Sequence, residues 1–138
     1  MATWNVGPFD NDEAVEWSDR FQATDLTRRA DFVESTLAGA ASQSIEMTAE
    51  RSAEVIAAAA TVLHAATGTL PPVTPYAMVV LTETGGIDPT PRLIALAQAA
   101  LEILMADDSA FRRHWAGDEE EELALESVER IQHALPVR

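Results

Sequence analysis

Asp10, Asn11 and Asp12 stand side by side near the start of the sequence, and Asp19 follows seven residues after Asp12. Oxygen-bearing side chains of this kind suit a hard divalent cation, and carboxylates gathered around one are the raw material of a metal-dependent hydrolase. The spacing is not that of an EF-hand, which takes acidic ligands at alternate positions, a glycine and a distal bidentate Glu. The same residues have a structural use. Asp10 can cap the amide of Glu13 while Glu13 reaches back to Asp10, and Phe9 and Ala14 occupy the two positions of a hydrophobic staple. A metal site of Asp10, Asp12 and Asp19 and a plain helix cap are therefore two readings of one cluster.

Other chemistry is sparse. The only histidines are His64, His114 and His133, and none sits in an H-E-x-x-H or similar ligand pair. His64 falls in an alanine-rich stretch that suits a hydrogen-bonded core histidine, while Glu129 and His133, four apart, suit a surface pair on one helix face. Neither a G-x-S-x-G elbow nor a Walker-type phosphate loop occurs, and Gly85-Gly86 reads as a turn. The absence of cysteine removes thiol catalysis, thiolate metal sites and disulfides together. These residues call for no cofactor. The acidic run 118–122 is either a patch for a partner or a solvated first turn whose carboxylates complement the helix macrodipole.

The elements that must carry these residues read as helices. Residues 1–9 lack periodicity and contain Gly7-Pro8, so they form an arm leading into the first helix, with Trp4 and Phe9 expected to be buried against the bundle. That helix runs to about Phe21, with Ala14, Trp17 and Phe21 on one face. A second covers about 25–39, with Leu26, Ala30, Val33 and Leu37 inward. A third begins near Thr48 and ends at Gly68; its apolar, alanine-rich middle marks it as the central helix. Residues 74–84 fit a helix better than a strand. Thr90-Pro91 opens a helix to about Ala106, a short one follows from Ser109 to Trp115, and the last begins at Asp118 with Leu123, Val128, Ile131 and Leu135 inward. The expected fold is all-α: a compact bundle of six or seven helices in a single domain over 1–138, with the third helix and the one after Thr90 at its centre.

Charge bounds the partners. Nine basic residues against 23 acidic ones leave a net charge of −14. Nucleic acid and anionic membranes are repelled by such a chain, because neither phosphate neutralisation nor counterion release works with this sign. The most apolar run, residues 55–66, is interrupted by Thr61 and His64 and is too short to span a bilayer, and no secretory signal is visible. A cytoplasmic protein is expected, a homo-oligomer being compatible with the composition.

The order W-x-x-G-P-F-D-N-D-x-A formed by Trp4, Gly7, Pro8, Phe9, Asp10, Asn11, Asp12 and Ala14 resembles the opening motif of the bacterial "domain of unknown function 4259" family. The alanine-rich 53–60 and the order D-x-S-x-x-R-x-x-W of Asp107, Ser109, Arg112 and Trp115 agree with it. Asn5 and Asp108 depart from the pattern, where the family commonly has glycine and asparagine. The resemblance implies a bacterial origin and a helical fold, and carries no activity. It also singles out Ser109, Arg112 and Trp115, which a helix places on one face at spacings of three. Two outcomes are open for them. Arg112 either braces an internal carboxylate while Trp115 packs beneath the arm or the last helix, or it faces a cleft walled by Trp115 and receives an anionic ligand. Trp4 joins that set as a contact residue if it is exposed. The leading functional expectation is a non-enzymatic module that binds another protein, such as an immunity-type inhibitor steered to a basic toxin; the alternative is the carboxylate-based hydrolase.

Overall fold

A computed structural model of the chain describes residues 11–43, 46–68 and 87–136. They form α1 (Asp12–Ala23), a 3-10 turn (Leu26–Arg28), α2 (Arg29–Ala41), α3 (Ala49–Thr67), α4 (Pro91–Leu104), α5 (Ala110–Trp115) and α6 (Glu121–Ala134), with no strand among the described residues. The fold is an all-α bundle. The expected arm with Trp4, Phe9 and Asp10, and the expected helix over 74–84, lie outside the described residues.

The sequence places α3 at the centre for a physical reason. Thr48 caps it by accepting the Arg51 amide at 3.1 Å, and Gly68 ends it in the left-handed region at φ 74°. Between them Ser52, Ala53 and the whole of 55–63 are buried. Small side chains let α1, α2, α4, α5 and α6 all pack against this helix. The two buried hydroxyls cost little, because Ser52 and Thr61 donate to the carbonyls of Thr48 and Ala57, four residues back, at 2.8 Å each. No helix among the described residues is long and apolar enough to cross a membrane.

Around α3 the other helices obey their caps. Thr90 accepts the Leu93 amide at 3.1 Å and Pro91 fills the first helical position, so α4 starts sharply and buries Leu93, Ile94, Ala97, Ala100, Leu101 and Leu104. Its neighbours are α2, α3, α5 and α6. α1 buries Ala14, Trp17 and Phe21 as expected, but its cap differs. The cap is Asn11 rather than the expected Asp10: the Asn11 backbone is extended and its Oδ1 accepts the Ala14 amide at 2.8 Å. The start moves by one residue, so the amide reached three positions on is that of Ala14 rather than Glu13.

Two inward lines are also corrected. Residues 26–28 form a tighter 3-10 turn before α2, which rotates Leu26 off the core face and leaves it 55% exposed. Val33, Leu37 and Ala40 carry the burial, and the helix continues through Gly39 to Ala41. In α6 the buried line is Ala124, Val128, Ile131 and Leu135, with Leu123 52% exposed. The expected start at Asp118 becomes a turn: Asp118 Oδ1 accepts the Glu120 amide at 2.8 Å, and the helix proper begins at Glu121.

An unforeseen cation closes the α1–α2 corner. Arg29 is buried, and its Nε and one terminal nitrogen donate to the carbonyls of Thr24 and Gln22 at 3.2 and 2.9 Å. The guanidinium carbon lies 5.0 Å from the Phe21 ring centroid, within cation–π range. Phe21 in turn belongs to an aromatic cluster with Trp17 and Phe32.

Candidate functional site

Ser109, Arg112 and Trp115 come together on α5, a short helix between α4 and α6. Ser109 is its cap: the backbone there is extended and Oγ accepts the Arg112 amide at 3.1 Å. Arg112 is half-buried and its Nε donates to the Met105 carbonyl at 2.8 Å. Met105 terminates α4, where carbonyls lack intrahelical donors and carry the negative end of the helix dipole. A guanidinium satisfies both needs at once. The bond differs from the expected brace in its acceptor, a main-chain carbonyl in place of an internal carboxylate. Arg113 bonds the Asp108 carbonyl, so both arginines of α5 bind the segment that leads into it.

Trp115 is half-buried and packs against the core, and His114 meets its indole edge-on at 5.4 Å between centroids. The aromatic thus seats α5 on the bundle while Arg112 ties the same helix to α4. Trp4 is outside the described residues.

The acidic candidates do not converge where they are described. Asp12 and Asp19 are both exposed on α1, and two helical turns separate them by about 10 Å along the axis. Among the described residues no group of three His, Cys, Asp or Glu side chains could hold a metal ion. Asp10 lies outside them. His64 is half-buried on α3, and its Nδ1 is buried with no hydrogen-bond partner among the described residues, contrary to the expected satisfied core histidine.

The carboxylates of the last helix have a different geometry. Between residues 118 and 135 the sequence has seven acidic residues and one arginine. Glu119, Glu120, Glu122, Glu126 and Glu129 are exposed on α6 and the turn before it, and none makes an ion pair within the described residues. The exposed Leu123 sits among them. Sequence reasoning placed Leu123 in the core and so missed that an apolar side chain interrupts this surface.

An all-α bundle with a central alanine-rich helix, carboxylates lining its last helix and Ser109, Arg112 and Trp115 used to seat a short helix defines the class. A family model described as "Domain of unknown function (DUF4259)" matches residues 2–127, and the chain belongs to that family. No curated protein and no solved structure matches it.

Proposed function

We propose that the chain is a non-enzymatic interaction protein whose partner is a basic protein, bound through the acidic surface of α6. One observation carries this reading: the carboxylates of Glu119, Glu120, Glu122, Glu126 and Glu129 are exposed and uncompensated within the described residues. A surface of one sign steers an oppositely charged partner toward it and opposes like-charged ones. The total charge of −14 extends that field over the molecule and disfavours nucleic acid. Leu123 supplies an apolar contact inside the charged rim, the arrangement in which a docked side chain is shielded from water. A toxin with a positive active-site groove is one partner of the right chemistry, and a bacterial cytoplasm, where a cysteine-free chain is at home, is the proposed setting.

The test is capture of partners by the tagged full chain from its native host, at low and raised salt, followed by binding measurements with the purified partner. The expected result is a basic protein bound at micromolar or tighter affinity, weakened by salt and by the quadruple variant Glu119→Gln, Glu120→Gln, Glu122→Gln, Glu126→Gln. Failure to capture any protein, or capture of one whose affinity ignores both salt and these substitutions, overturns the proposal.

A further inference from the structure

We draw no further inference here: the strongest candidate, the outward face of α6 around the exposed Leu123, belongs to the acidic surface already proposed for partner binding, and nothing in the structure shows what covers it.

Discussion

The indole Nε1 of Trp17 donates to Thr36 Oγ1 at 2.9 Å, a side-chain bond that joins α1 to α2 across 19 residues of sequence. Thr36 passes the interaction on, its hydroxyl donating to the Phe32 carbonyl at 3.2 Å. Trp17 is 1% exposed and stacks on Phe21 and Phe32, so its polar edge has no water to turn to. Replacing Thr36 with Val keeps the shape and strands the indole N–H, at a cost of roughly 1 to 3 kcal/mol. Trp17→Ala removes a buried large aromatic as well, and the loss rises to roughly 3 to 5 kcal/mol. Urea unfolding of the two variants checks the order; equal losses would show that the hydrogen bond, rather than the stacking, dominates.

Arg112 gives a prediction that separates a structural brace from an anion site. Its Nε bond to the Met105 carbonyl is half-buried, and loss of a hydrogen bond to a charged group costs roughly 1.5 to 3 kcal/mol before solvent takes its share. Arg112→Ala therefore lowers stability by about 1 to 2 kcal/mol and raises amide exchange in residues 110–115. Binding of inorganic phosphate or sulfate at millimolar concentration is expected to be absent in both the parent and the variant. Anion binding by the parent that disappears in Arg112→Ala would replace the brace with a ligand site.

What could be read from the sequence depended on how many residues competed for a role. Thr48, Thr90 and Ser109 each stand at a helix start with a suitable pattern behind them, and each is the observed cap. At the first helix Asp10, Asn11 and Asp12 are all able to cap, and pattern alone does not choose Asn11. Leu123 stands with Val128, Ile131 and Leu135 in the inward line expected for the last helix, yet it is 52% exposed. Its spacing of five from Val128 sets the two about 140° apart on a helix, whereas Ala124, at four, lies about 40° away. Periodicity thus favoured the smaller residue. Arg29 shows the opposite limit: carbonyls freed at the α1–α2 corner decide its burial, and such a corner has no signature in residue order. The same holds for Arg112, whose acceptor is main chain and so is invisible to a search for acidic partners.

Removing the exposed carboxylates of α6 is expected to leave the fold intact. The quadruple glutamine variant at 119, 120, 122 and 126 trades weakened mutual repulsion against a weakened helix-dipole interaction, and exposed substitutions of this kind stay within about 0.5 kcal/mol each. A chain of charge −14 also repels itself, so moderate sodium chloride should raise its melting temperature by screening. Thermal melts at low and moderate salt check both points. A parent protein destabilised by salt would mean that attractive pairs such as Arg20–Glu54 and Arg92–Glu34 outweigh the repulsion.

Gly68 ends α3 at φ 74°, and a Cβ added there meets nothing within 4 Å among the described residues. The penalty for Gly68→Ala is then conformational alone, about 1 kcal/mol, and Gly68→Asn recovers part of it because asparagine tolerates the left-handed region. Chemical denaturation of the pair checks the order; a much larger alanine loss would point to a contact beyond the cap.

The alanines of α3 make the most direct claim about how the bundle closes. Ala57, Ala58 and Ala59 are fully buried, and α3 packs against five other helices. Leucine and alanine have similar helix propensities, so Ala58→Leu changes little in the helix itself and its cost reports packing. Forcing a longer side chain into a close-packed seam typically costs 1 to 3 kcal/mol and sometimes more. Ala65→Leu, on the same helix but half-buried, is expected to cost less because its added carbons reach toward solvent. Comparing the two unfolding midpoints isolates the effect of burial from that of helix formation. If Ala58→Leu is no more destabilising than Ala65→Leu, the neighbouring helices are not held close by the small residues of α3, and the central role of that helix fails with it.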